Sequence, residues 1–217
     1  MKKGFFTLIE LLLVITIMTI LMSMLLPALR NAKNKAHQIT CANKQKQIGI
    51  GINVYTLDND SWIVPTHADN NYTWPILLAP LMGITPDYRR WNSYENFYCI
   101  SNIEVKFPDQ APGSYRTNYS WNLDLMGIPS AAEFPMLKAS RVGNPSGSAI
   151  IWDGHEGDWG YSAGFERSIN PMETSICCIN FCHNNRTNAL FFDGHTSGLA
   201  RTELPGAFAH DGNTLFK

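Results

Sequence analysis

Two Asp-Gly-His triplets, Asp153-Gly154-His155 and Asp193-Gly194-His195, together with His183, are the residues of this chain whose types and spacing could do chemistry. Two carboxylates and three imidazoles would make a nitrogen and oxygen shell for a transition metal if the two triplets met in space. Such a set does not suit calcium, which prefers oxygen ligands. Asp-Gly is also ordinary turn chemistry, and it accounts for both pairs without an ion. No cofactor is therefore expected, and Asp153, His155, His183, Asp193 and His195 stand as the alternative, metal-holding set.

Other chemistries find less support. Asp58-Asn59-Asp60 lacks the glycine at the sixth and the glutamate at the twelfth position of a calcium loop, and reads as a solvated turn after a helix. There is no G-x-S-x-G elbow, no H-E-x-x-H and no glycine-rich phosphate loop, so the chain is not expected to be an enzyme. Five cysteines, at 41, 99, 177, 178 and 182, suit an oxidising compartment, and their odd number leaves at least one thiol unpaired within the chain. Cys178 and Cys182 share strand parity and could close on each other only through a bend, while Cys177 points to the opposite face.

The elements that must position these residues differ from one end of the chain to the other. The last third reads as antiparallel sheet, with apolar, β-branched runs at 148–152, 174–181, 188–192 and 195–199. Asp193-Gly194 between the last two predicts a two-residue type I′ hairpin, pairing Phe192 with His195 and Leu190 with Ser197. Residues 61–148 are punctuated by prolines and rich in aromatics, among them Trp62, Tyr72, Trp74, Tyr88, Trp91, Tyr94, Phe97, Tyr98, Tyr115, Tyr119 and Trp121. Frequent rings predict ordered loops over a small core, because disordered segments lack them. The alternative use of those rings is a carbohydrate-stacking surface.

At the N-terminus, residues 5–29, FFTLIELLLVITIMTILMSMLLPAL, form an apolar run with one charge, Glu10. As a helix it reaches about 37 Å, enough to cross a hydrocarbon core of roughly 30 Å with tilt. A carboxylate there costs on the order of 2.5 kcal/mol or more, so a plain anchor has no use for it and an unpaired acid implies a partner. A cleavable signal peptide does not fit, since the run is too long and carries Glu10. The helix is expected to continue through 30–57, where Ala28, Ala32, Ala36, Ile39, Cys41, Ile48, Ile52 and Tyr55 keep an apolar stripe at helical spacing, with no cap or breaker before Gly49 and Gly51. Pro27 either loosens the helix or marks the end of the membrane segment.

Gly4-Phe5-Phe6-Thr7-Leu8-Ile9-Glu10 resembles the processing site of type IV pilins and type II secretion pseudopilins. The resemblance implies cleavage and N-methylation by a prepilin peptidase between Gly4 and Phe5, and a filament in which Glu10 pairs with the first-residue ammonium of a neighbouring subunit. Two charges that are each costly in an apolar core become tolerable as a pair and fix the register between subunits. His183 followed after nine residues by Asp193-Gly194, within Asn188-x-Leu190-Phe191-x-Asp193-Gly194-His195, resembles the C-terminal H-x9-D-G signature of a large bacterial pilin-like subfamily. That subfamily resemblance also implies a Cys41–Cys99 disulfide clipping the helix end to the head.

The organisation implied is an α+β, pilin-like chain: a leader at 1–4, a membrane and filament-core helix at 5–29, its amphipathic continuation at 30–57, and a head at 58–217 in which the helix packs on a small antiparallel sheet with long loops. The expected partners are other pilin subunits, the prepilin peptidase, an inner-membrane assembly platform and membrane lipid. The runner-up function is an anchored extracytoplasmic binder of a ligand or carbohydrate on the same fold. Charge is uneven: 30–53 carries five basic residues and no acid, whereas the chain from Val54 onward carries ten basic and seventeen acidic residues. An acidic head excludes nucleic acid as its partner. Basic residues just after the span would by themselves place the C-terminus in the cytoplasm. The processing motif and the cysteines argue the opposite, giving a single-pass bacterial inner-membrane protein with a cytoplasmic N-terminus and a periplasmic or surface-exposed head.

Overall fold

The apolar run and the amphipathic stretch after it form one helix, α1 (Leu8–Asp58), about 76 Å long. The computed structural model describes residues 7–68, 72–84, 96–101, 117–127, 129, 135–154 and 179–203. Gly4, Phe5, His155, Cys177, Cys178, the expected strand residues 174–178 and the rings of Tyr88, Trp91, Tyr94 and Tyr115 lie outside them.

Thr7 caps α1 in a capping box: its hydroxyl accepts from the Glu10 N–H (3.3 Å), while Glu10 Oε2 accepts from the Thr7 N–H (2.8 Å) and hydroxyl (2.7 Å). Glu10 thus caps its own helix, a role the sequence reading did not assign, because the helix start lies three residues before it. Helix α1 runs through Pro27 without ending there. Residues 8–33 are all exposed, and their hydroxyls are satisfied inside the helix: Thr16 donates to the carbonyls of Leu12 and Leu13, Thr19 to Thr16 and Ser23 to Ile20. An apolar rod with no hydroxyl left wanting a partner is compatible with hydrocarbon. By length and composition it is able to cross a membrane.

From Asn34 onward the helix meets the rest of the chain. Its buried face is Cys41, Gln45, Ile48, Gly49, Gly51, Ile52 and Thr56. The expected stripe is thus displaced: Ala28, Ala32 and Ile39 face solvent, and the polar Gln45 takes a core position. Gly49 and Gly51 do not break the helix. A Cβ on Gly49 would come within 2.9 Å of Leu190 Cδ1, so glycine lets the helix lie close on the sheet.

That sheet is a four-stranded antiparallel meander of β3 (Tyr119–Trp121), β4 (Ala149–Asp153), β5 (Arg186–Phe191) and β6 (Thr196–Ala200) in chain order, and α1 crosses it chiefly at β5. Before it come a two-residue pair, β1 (His67–Ala68) with β2 (Tyr72–Thr73), and the short helix α2 (Trp74–Leu78). Another short helix, α3 (Leu123–Met126), follows β3. Between α1 and the sheet the core holds Ile48, Ile52, Ile63, Trp74, Phe97, Tyr119, Trp121, Ile150, Ile151 and Leu190. Trp74 sits at its centre, edge-on to Phe97 (5.5 Å, 76°) and Trp121 (6.2 Å, 72°). These rings are packing material, as ordered loops over a core require, and are not available for stacking on a sugar. A smaller cluster of Ala149, Trp152, Ile179, Ala189 and Phe191 forms a second core.

The β5–β6 turn departs from the expected one. The register pairs Leu190 with Thr196 and Ala189 with Ser197, one residue off the predicted pairing. Of Asp193 and Gly194 only the glycine has positive φ (88°), and the Phe191 N–H donates to the His195 carbonyl. This is a three-residue loop closing in a glycine bulge rather than a type I′ turn. The reason is local: the Asp193 carboxylate accepts from the backbone N–H (3.0 Å) and ring Nδ1 (2.6 Å) of His195, which holds Asp193 out of the left-handed region. The two-residue turn with positive φ at both centres lies instead at Asn184 (53°) and Asn185 (60°), closed by reciprocal backbone bonds between His183 and Arg186.

Candidate functional site

Among the described residues, Asp153 groups with His183, whereas Asp193 and His195 pair with each other elsewhere. Asp193 and His195 pair with each other on the exposed β5–β6 turn, where the His195 contacts hold the Asp193 carboxyl below its usual range against the opposing effect of partial desolvation. His195 also stacks on Phe191 (4.3 Å between ring centroids). Asp153, by contrast, is no turn residue. It ends β4, fully buried, and Gly154 after it donates its N–H to the Asn118 carbonyl.

Asp153 meets His183 at the other end of β5. His183 Nε2 lies 3.3 Å from Asp153 Oδ2, and both side chains are entirely buried. The same Oδ2 accepts from the Asn188 N–H (2.7 Å), and Oδ1 accepts from Gln45 Nε2 (3.2 Å). Gln45 Nε2 also donates to the Asn188 carbonyl (3.1 Å), so one amide of α1 ties the end of β4 to β5. The two ends of the H-x9-D-G signature thus do different work. His183 is buried beneath the helix before the strand begins, and Asp193-Gly194 turns the chain after the strand ends.

Sequence reading missed that three thiols join this pair. Cys99 Sγ lies 3.2 Å from His183 Nε2 and 3.6 Å from Cys182 Sγ. Cys41, on α1, is buried close by, near enough for Cys99 and His183 to shift its thiol. Cys41, Cys99 and Cys182 are free thiols, so the expected Cys41–Cys99 pair is in contact but not bonded as a disulfide. Asn118 fixes the backbone of Cys99 from both sides: its Oδ1 accepts from the Cys99 N–H (2.7 Å), and its Nδ2 donates to the Cys99 carbonyl (2.8 Å). The signal that could have found the site was the adjacency of Cys182 and His183. Strand parity would send them to opposite faces, but a tight turn brings both onto one.

Electrostatically the site is set to hold protons when it is empty. The hydrogen bond with Cys182 and burial push the Cys99 thiol up to about 12, despite the opposing pull of Cys41 and His183. The hydrogen bond with Cys99 and burial likewise raise Cys41. Burial pulls the His183 imidazole down, but Asp153 and the thiols outweigh it and leave the ring raised to about 12. The resting arrangement is then an imidazolium against a carboxylate, with neutral thiols around it. His183 Nδ1 and Gln45 Oε1 are buried and have no partner among the described residues.

Gly154 shows how tightly the site is built. A Cβ there would stand 2.7 Å from the Ser120 backbone nitrogen, a contact that side-chain rotation cannot relieve. Gly154→Ala is expected to cost on the order of 1–3 kcal/mol by forcing β4 away from β3 next to Asp153. A lowered urea midpoint of the full-length chain in detergent would register it, and an unchanged midpoint would mean that the strand ends move freely.

No protein-family model, curated protein or solved structure matches the chain.

Proposed function

We propose that this chain is a structural subunit of an envelope-spanning filament, of the type IV pilin or type II secretion pseudopilin kind, that acts by assembly rather than catalysis. The observation that carries the reading is the division of α1. One end packs on the sheet of its own chain, while residues 8–29 present apolar side chains on every face and are exposed along their whole length. A rod apolar all round is stable only in lipid or among other apolar rods, and a subunit that leaves the bilayer to enter a helical core meets both in turn. With it go a prepilin peptidase acting at Gly4-Phe5, a cytoplasmic N-terminus and an acidic head on the far side of the membrane. The runner-up, an anchored carbohydrate binder, loses support because Trp74, Phe97, Tyr119 and Trp121 are buried.

The capping box dictates the test. Glu10→Ala would remove both the cap and the charge, whereas Glu10→Gln keeps an acceptor for the Thr7 N–H and removes only the charge. In its native cell the Glu10→Gln chain is expected to be membrane-inserted at normal abundance, with higher-order species captured by chemical cross-linking reduced at least tenfold. Undiminished cross-linked oligomers would overturn the filament reading.

A further inference from the structure

We propose that Cys99, Asp153, Cys182 and His183 form a closed, tetrahedral site for a zinc-type divalent transition metal that locks the head onto the long helix. The four ligand atoms all lie within 4.8 Å of one another. For metal–ligand bonds of about 2.0–2.3 Å, a tetrahedron has ligand-to-ligand edges of about 3.3–3.8 Å. The measured edges are 3.6 Å between the sulfurs, 3.2 Å from Cys99 Sγ to His183 Nε2, and 3.3 Å from His183 Nε2 to Asp153 Oδ2. These are three of the six edges, and the others are bounded at 4.8 Å, so closing the tetrahedron asks for side-chain shifts of up to about one ångström.

The donor set selects the metal. Two sulfurs, one imidazole nitrogen and one carboxylate oxygen suit Zn²⁺, whereas calcium and magnesium require oxygen shells. Four protein ligands leave no open position for a water or a substrate, which is the pattern of a structural and not a catalytic site. Cys99, Asp153 and His183 are buried and Cys182 is half-buried, so the entry path is at Cys182.

Supporting contacts are already in place around the ligands. Gln45 and the Asn188 N–H orient the Asp153 carboxylate, Asn118 clamps the Cys99 backbone, and Cys41 of α1 is buried nearby. Such outer contacts fix ligand direction and tune affinity. His183 Nδ1, buried without an acceptor among the described residues, points the same way. Zn²⁺ binds the two sulfurs as thiolates, whose protons pass to solvent, with no change of oxidation state. It joins residues from the 96–101 loop, the end of β4 and the turn before β5, with Gln45 and Cys41 of α1 directly behind them.

The competing fate of the same sulfurs is a Cys99–Cys182 disulfide, for which 3.6 Å must close to about 2.05 Å. The full-length chain, purified in detergent without chelator, is to be assayed for zinc by elemental analysis and for free thiols by alkylation and peptide mass mapping. One zinc per chain is expected, with Cys99 and Cys182 resistant to alkylation until a chelator is added and the melting temperature several degrees lower afterwards. Cys182→Ser, at the half-buried ligand, should lower zinc occupancy at least tenfold at micromolar Zn²⁺. Co²⁺ added to the apo chain should give thiolate-to-cobalt charge-transfer absorption that is lost in this variant. A zinc-free chain with Cys99 and Cys182 oxidised to each other would overturn the proposal. So would zinc retained undiminished in Cys182→Ser.

Discussion

Asp153→Ala is expected to destabilise the chelator-treated head by about 3–5 kcal/mol, the cost of breaking a buried ion pair by removing one partner. The lost carboxylate is the acceptor for Gln45 Nε2 and for the Asn188 N–H, and the counter-charge of His183. Removing it strands the Asn188 N–H and takes one of two partners from Gln45 Nε2 and from His183 Nε2, in a region where neither Asp153 nor His183 reaches water. Against a typical domain stability of about 5–15 kcal/mol this is a large fraction. Urea unfolding of the full-length chain in detergent, followed by tryptophan fluorescence, measures it. The double variant Asp153→Ala/His183→Ala should recover part of the loss, because the imidazolium then no longer lacks a counter-charge. A loss under 1 kcal/mol in the single variant would show that water reaches the site.

Trp74→Ala is expected to cost a similar 3–5 kcal/mol, by a different mechanism. Trp74 is fully buried and touches Phe97 and Trp121 edge-on, so truncation leaves a cavity walled by rigid rings that cannot collapse into it. Trp74→Phe should cost much less. It keeps a ring for both edge contacts and removes Nε1, a buried donor that has no partner among the described residues. The same unfolding measurement separates the two, and equal losses would mean that indole volume, not ring contact, sets the cost.

The long helix was legible because its signals are local. An unbroken apolar run and residues recurring at helical period can each be read within a few turns of chain. The same locality left one role unread at Glu10, whose carboxylate also closes a cap on its own helix. At the last hairpin, Asp-Gly was rightly read as a turn, yet the carboxylate of Asp193 bonds His195 and keeps its own φ negative, shifting the register by one residue. A slip of one residue exchanges the faces of a strand, so a correct turn does not guarantee correct partners.

Sequence by itself determined that this chain pairs a rod able to cross a membrane with an α+β head of antiparallel strands, since periodicity and turn residues act over short distances. Only the tertiary structure decided that Gln45 belongs to the core, that Asp153 ends a strand, and that Cys99, Asp153, Cys182 and His183 converge under the helix. Those residues are brought together by the meander and by the closeness of α1 to β5. A cluster assembled across more than eighty residues of chain leaves no spacing pattern, because its geometry is set by packing and not by the local period of helix or strand.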